Sequence, residues 1–408
     1  MQKKVAIITN GYFPVPAALG GAVEALDENL IVQNEVDNRI KLVVFSCYNE
    51  SAFQQSKSYK NTAFKFIRIP QIIQRMDKAI YFIAKDVLRK KKNMSYRYIL
   101  QRLFYIQKVA KELQNNEFDK IVLENHATLF MALKKHKNYK KYAGKYYYHV
   151  HNIVTNGYGC DDIISNCKKI IGVSDYINKT VKDFLGEKDQ NTYVVLRNKI
   201  NQEKFCTKYS VQRKHEIREE FNLSDDDIVI LFSGRLNPEK GIKELLEAFK
   251  MLDSSQAKLL IVGGYYFGSG MVSSFEKELH VLVDELKDKV QFTGFVQYSK
   301  MPDLYAIADI AVVPSVWDDP APLTVIESLT AGKALITTNS GGIPEYADTS
   351  SSIILDKNEN LIKELKNSMK ILIENPSLRR EMEDKVHEKT KNWNLRTYYN
   401  DFCDIIEE

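Results

Sequence analysis

Two stretches of this 408-residue chain hold residue types suited to an anionic ligand rich in hydroxyls. The first is Ser233-Gly234-Arg235-Leu236-Asn237-Pro238-Glu239-Lys240-Gly241. Gly234 permits a tight turn, Arg235 offers a planar fork for phosphate oxygens, and Lys240 offers a compact charge. The helical pattern from Ile242 adds backbone N–H groups that favour anions. A surface turn with two solvated cations is the plainer alternative. The second stretch is Pro314-Ser315-Val316-Trp317-Asp318-Asp319-Pro320-Ala321-Pro322-Leu323-Thr324, followed by Glu327. Ionised carboxylates only accept hydrogen bonds, so Asp319 and Glu327 suit ligand hydroxyls. The unpaired N–H groups of Leu323 and Thr324, at a helix start, would face an anion. Asp319 as a helix cap and Glu327 as an exposed helix residue is the structural alternative. Cations and amides for phosphate, beside carboxylates for hydroxyls, describe a site for a sugar nucleotide.

The first half offers sparser chemistry. In Tyr148-His149-Val150-His151-Asn152, strand alternation puts His149 and His151 on one face. His126 follows the apolar run Ile121–Leu123. A histidine at a strand end is often structural, so His149 and His126 are weaker candidates than His151. The five cysteines show no C-x-x-C spacing and are odd in number, which reads as free thiols in a reducing compartment. No D-x-D stands in a loop placed to meet the ligand. Neither a metal nor a resident cofactor is therefore expected.

Such loops need strands to present them. Val5–Thr9, Leu42–Phe45, Phe64–Ile67, Ile121–Leu123, Tyr146–Val150 and Ile170–Val173 read as strands of a first half. Ile228–Phe232, Leu259–Val262, Val290–Phe292, Ile310–Val313, Leu335–Thr337 and Ile353–Leu355 read as strands of a second. Helical patterns such as Ile242–Leu252, Ser274–Leu286 and Val325–Ala331 lie between them. This alternation predicts parallel sheets with helices on both faces: an α/β chain of two doubly wound domains, about 1–200 and 201–391. Ligands of such sheets lie beyond the carboxyl ends of the strands, so two facing domains would hold one in a cleft.

Composition sets outer limits. Hydrophobic residues at 44% and charged residues at 27% exclude a disordered tail, a collagen-like rod and a disulfide scaffold. No run of 18 apolar residues suggests a membrane span, and the apolar start is too short for a signal peptide. The net charge of +5 hides an asymmetry. Residues 57–150 hold 22 Lys+Arg against 6 Asp+Glu, a net +16, while 151–408 carry a net −9. Such a patch suits an anionic partner, and a solvated basic face is the plainer reading.

Within 71–113, Ile72-Ile73, Met76, Ile80, Ile83 and Val87-Leu88 recur at helical spacing before Arg89-Lys90-Lys91-Lys92. A basic amphipathic helix can lie on anionic lipid. Apolar residues among the cations fit this better than groove reading, so no nucleic acid is expected. The expected arrangement packs the apolar stripe on the sheet and turns the cations to lipid. That predicts a cytoplasmic protein held peripherally at the inner face of the plasma membrane.

The two ligand loops together resemble the donor site of retaining glycosyltransferases of family 4, which have the GT-B fold. That family shows G-R-x-x-x-x-K-G after the first strand of its second domain, here Gly234-Arg235 and Lys240-Gly241. Its pair of acids with seven residues between them stands here as Asp319 and Glu327, with Asp in place of the first Glu and Pro322 where Gly is common. Leu259–Gly264, Phe292–Val296 and Gly332–Ile336 extend the agreement over 228–345. The resemblance implies that Arg235 and Lys240 bind and stabilise the leaving diphosphate, and that Glu327 holds the ribose. It implies that Asp319 meets the sugar, with Ala321, Leu323 and Thr324 beside it, and that Gly294, Phe295 and Val296 line the base pocket. Gly20 and Gly21 would let the donor phosphates approach, His151 would face the donor sugar, and a final helix near 392–408 would cross back to the first domain. The implied activity is hexosyl transfer with retention, from a UDP-type nucleotide sugar to a lipid-linked saccharide in cell-surface polysaccharide assembly. An epimerase on the same fold leaves the paired loops unexplained, and a non-catalytic subunit leaves the retained Arg235, Lys240, Glu327 and His151 unexplained.

Overall fold

The computed structural model describes residues 2–88, 97–186, 192–264, 274–286 and 288–408. The basic run Arg89–Lys92 and the part of 263–268 beyond Gly264 lie outside them. The chain divides into two compact units. One holds residues 1–173, 177–197 and 398–408, and the other holds 174–176 and 198–397.

The first unit is built on a seven-stranded parallel sheet in the order β3-β2-β1-β4-β5-β6-β7. Its strands are β1 (Lys4–Ile8), β2 (Lys41–Cys47), β3 (Thr62–Ile67), β4 (Lys120–Glu124), β5 (Tyr146–Val150), β6 (Lys169–Gly172) and β7 (Tyr193–Val195). Val5, Ala6, Ile7 and Ile8 of β1 are all fully buried, as expected of a strand covered on both faces. The second unit holds β8 (Ile228–Ser233), β9 (Ala257–Val262), β10 (Val290–Gly294), β11 (Ile310–Val313), β12 (Ala334–Thr338) and β13 (Ser352–Leu355). They pair in parallel in the order β10-β9-β8-β11-β12-β13. Along β8, Ile230 and Phe232 pack into one core layer, whereas Val229 and Leu231 pack into the layer on the opposite face.

Each sheet reverses its winding once, between β1 and β4 and again between β8 and β11. Loops leaving the carboxyl ends of neighbouring strands there diverge and open a crevice. The candidate loops follow β1, β4 and β5 in one unit and β8 and β11 in the other.

The last helix, Leu395–Glu407, packs on the first unit. The Arg39 guanidinium donates to Asp404 and Glu407 at 2.8 Å each. Tyr399 Oη donates to Asn34 Oδ1 at 2.5 Å, and Tyr147 Oη donates to the Ile406 carbonyl at 3.0 Å.

The segment from residue 71 departs from expectation. In the helix Gln71–Phe82 the only buried residue is Asp77, and Ile72, Met76 and Phe82 are exposed. Ile83 and Leu88, just beyond it, are exposed too. Ile72, Met76, Phe82, Ile83 and Leu88 therefore face outward here instead of packing on the sheet, while Ile73 and Ile80 are half-buried. The cause is Asp77, whose carboxylate accepts the Leu100 and Gln101 N–H groups at 2.9 Å each. It caps the helix Ile99–Asn115 and so turns its own polar side inward. That second helix does bury its stripe, through Tyr105, Ile106, Val109, Ala110 and Leu113.

Candidate active site

In the second unit the loop after β8 and the loop after β11 meet directly. Gly241 has φ +69°, and a Cβ there would lie 1.8 Å from the Pro314 carbonyl oxygen. Only glycine permits that approach. The Val316 and Trp317 N–H groups donate to the Glu239 carbonyl at 3.1 and 3.3 Å, which stitches the two loops together. The outcome is an ion pair between Lys240 and Asp319 across the switch point. Asp319 is buried and Lys240 is half-buried. Asp319 is thus no helix cap. Arg235 is exposed at the mouth of the same loop.

Glu327 sits one turn into the helix Leu323–Thr330 and is 4% exposed, so it is no surface residue either. Tyr305 Oη donates to it at 3.1 Å and lies 3.1 Å from Ser233 Oγ at the end of β8. Burial pushes the Glu327 carboxyl up to about 7, against hydrogen bonds from Tyr305 and Tyr298 that lower it. The helix has no side-chain cap, and Pro322 precedes it, so the N–H groups of Leu323 and Thr324 open the helix. Ala321 is half-buried beside them.

Three glycine loops adjoin this cluster. A Cβ on Gly263 would lie 1.9 Å from the Gly234 carbonyl oxygen, and the Gly263 N–H donates to the Gly294 carbonyl at 3.0 Å. Gly294 and Phe295 are exposed, and Val296 packs on the core. On the other side, Gly341 donates to Asp318 Oδ1 at 3.1 Å and Gly342 donates to the Asp319 carbonyl at 2.8 Å. Sequence reading missed this Gly341-Gly342 turn, although a Gly-Gly pair one strand beyond the acidic loop is a visible signal.

In the first unit Gly20 and Gly21 have positive φ and lead into the helix Ala22–Asp37. The space above Gly21 belongs to Glu24, whose Oε2 would lie 2.1 Å from a Cβ. Asn10 Nδ2 donates to the other oxygen of Glu24 at 2.6 Å. His126 serves its own turn by accepting the Thr128 N–H at 3.3 Å. Burial and the nearby Arg102 depress His126 to about 4.

His149 and His151 converge on Glu124 at the end of β4, a residue the sequence reading did not single out. Glu124 Oε2 lies 3.0 Å from His149 Nδ1 and 3.1 Å from His151 Nε2. Among the described residues, these three form the one cluster of His, Cys and acidic side chains whose ligand atoms come within 4.8 Å of one another. Burial, then His149, depresses His151 to about 4. The same unit holds a cavity of about 430 Å³ lined by Tyr12, Tyr48, Arg68, Gln74, Tyr98 and Arg102. The Arg68 guanidinium stacks 3.5 Å from the Tyr48 ring centre, and Arg102 is buried with Nη2 unpaired.

Residues 213–392 match the family described as Glycosyl transferases group 1. The chain is a glycosyltransferase. Spore coat protein SA of Bacillus subtilis (strain 168) is 26% identical over 350 residues, covering 85% of this chain and 83% of that protein. The lipopolysaccharide 1,2-N-acetylglucosaminetransferase of Salmonella typhimurium is 32% identical over 146 residues, 35% of this chain and 38% of that one. The structure of Anabaena HepE in complex with UDP-glucose is 16% identical, covers 99% of both chains and superposes with a TM-score of 0.72. The transferase therefore has the GT-B fold, with two Rossmann-like parallel-sheet domains. Its group 1 domain contains both stitched loops, the Lys240–Asp319 pair and Glu327.

Proposed function

We propose that this transferase retains anomeric configuration and moves a hexose from a UDP-sugar to a lipid-linked saccharide in cell-surface polysaccharide assembly. The observation that carries the reading is the Lys240–Asp319 pair at the switch point with buried Glu327 beside it. Cleavage of the sugar–phosphate bond puts negative charge on the diphosphate. Arg235, Lys240 and the N–H groups of Leu323 and Thr324 meet that charge without a metal. Glu327 accepts the ribose hydroxyls, Asp319 meets the sugar hydroxyls next to Lys240, and the Gly294–Val296 loop takes the base. HepE, with its bound UDP-glucose, supports the choice of donor.

For the acceptor, the first unit offers a cavity with two guanidinium groups among aromatic rings. That chemistry suits a saccharide carried on a phosphorylated lipid. The exposed Ile72, Met76 and Phe82 adjoin the cavity-lining Gln71 and Gln74 on one helix and would enter the inner leaflet of the plasma membrane.

A thermal-shift screen of sugar nucleotides, followed by donor-turnover assays, tests this reading. A UDP-hexose should raise the unfolding temperature, and Lys240→Ala should lower turnover by about 10²–10³-fold with the fold intact. Turnover should persist in EDTA. Wild-type turnover in both Lys240→Ala and Glu327→Ala would refute the donor site.

A further inference from the structure

We infer that Glu124, His149 and His151 form a binding site for one divalent transition ion of the zinc class. The argument starts from strand register. β4 and β5 pair in parallel with Glu124 opposite His149, so the two side chains project to the same face of the sheet. His151 lies two residues on and returns to that face. The three ligand atoms form a nearly equilateral triangle, with sides of 3.0, 3.1 and 3.3 Å.

With Glu124 ionised, hydrogen bonds leave one side of that triangle unfilled. An ionised carboxylate oxygen only accepts, so Glu124 can take one N–H from each ring. The Nδ1–Nε2 side then sets two N–H groups against each other. One metal ion satisfies all three atoms at once. Ligand atoms about 2.0–2.2 Å from a common ion, at tetrahedral to octahedral angles, stand about 3.0–3.4 Å apart. Two imidazoles and a carboxylate select zinc-like ions over magnesium or calcium, which prefer oxygen donors.

The surroundings also call for a cation. Glu24 and Asp27, both buried, lie within electrostatic reach of Glu124. Asp27 Oδ2 is buried with no hydrogen-bond partner. Glu24 is met by the Asn10 amide and Glu124 by two imidazoles, none of them a fixed positive charge. Both histidines are buried, and His151, at 7% exposure, is the more open of the two and marks the side of entry. The ion would tie β4 to the end of β5 and fix the ring of His151 through Nε2. Metal binding and diphosphate departure use different residues; His151 alone is common to the triad and to the expected donor-sugar contact, so Lys240 tells the two sites apart.

The test uses the full chain, stripped with EDTA, exchanged into metal-free buffer and kept free of nucleotide. Cobalt(II) should bind one equivalent and develop visible absorption from a nitrogen–oxygen site, and zinc should displace it. His149→Ala and Glu124→Gln should weaken cobalt binding at least about 100-fold, while His215→Ala leaves it unchanged. Lys240→Ala should keep the cobalt spectrum and lose transfer, which separates this site from the donor reading. If a triad variant fails to fold, X-ray absorption of the zinc-loaded wild type decides, with two imidazole ligands expected. No cobalt spectrum in the wild type, a spectrum that survives in folded His149→Ala, or zinc without imidazole neighbours would overturn the assignment.

Discussion

Lys240 and Asp319 stand 79 positions apart, yet they form an ion pair because Gly241 lets one loop lie against Pro314 of the other. Each residue is readable from its own motif. Their pairing depends on which strands are neighbours, and spacing does not encode that. Glu124 was missed for the same reason: its partners are set by the β4–β5 register. Glu327 shows what burial adds to a motif. Its carboxyl stands near 7 in the folded chain, against an ordinary value of 4.5. The folded state thus holds the proton to higher pH than the unfolded state does. The resulting stability is fully present below about pH 4.5 and is lost as pH rises through 7. Two and a half pH units correspond to about 3 kcal/mol for a fully buried group. Denaturant unfolding at pH 5 and pH 7.5 should therefore show a steeper loss in the wild type than in Glu327→Gln. Equal losses in the two proteins would mean that Glu327 does not titrate in this range.

At the scale of elements, all thirteen strands among the described residues are legible as apolar runs, β7 through Val194-Val195-Leu196, because strands in a sheet covered on both faces need no alternation. Their ends move by a residue or two, as with β4, which runs on to Glu124 and so brings in a ligand for the histidines. The helix Gln71–Phe82 was legible as a helix but not in its orientation. Its spacing places Ile72, Met76 and Ile80 on one side, and spacing alone does not say whether that side faces the protein. Asp77 decides it by capping the helix Ile99–Asn115 from 23 and 24 positions away. Asp77→Ala leaves two N–H groups without their acceptor and should lower stability by about 1–2 kcal/mol. Calorimetry of the variant should show a lower unfolding temperature, and Asp77→Asn, which keeps one acceptor, should recover part of it. An unchanged unfolding temperature in Asp77→Ala would show that the cap does not set the helix.

Over the whole molecule, the net charge of +5 conceals a basic stretch, and the structure pairs that stretch with exposed apolar side chains. Residues 57–150 carry a net +16, and within them Ile72, Met76, Phe82, Ile83 and Leu88 are exposed. No helix among the described residues is long and apolar enough to cross a membrane, so contact with lipid would be made from the surface. Two forces then act on different ranges. Lys and Arg near an anionic leaflet contribute roughly 1 kcal/mol each and are screened by salt within about 10 Å. Burial of a Phe or Ile side chain contributes about 1.5–3 kcal/mol and is not screened. The triple variant Ile72→Ser, Met76→Ser, Phe82→Ser should therefore lower partitioning into anionic vesicles by at least about 100-fold at every salt concentration. Raising the salt should weaken the wild type and the variant in parallel, because the charges are common to both. Vesicle sedimentation across a salt series separates the two forces. Equal partitioning of the two proteins would leave the exposed face without a role at the membrane. A loss in the variant that vanishes at high salt would assign the binding to charge alone.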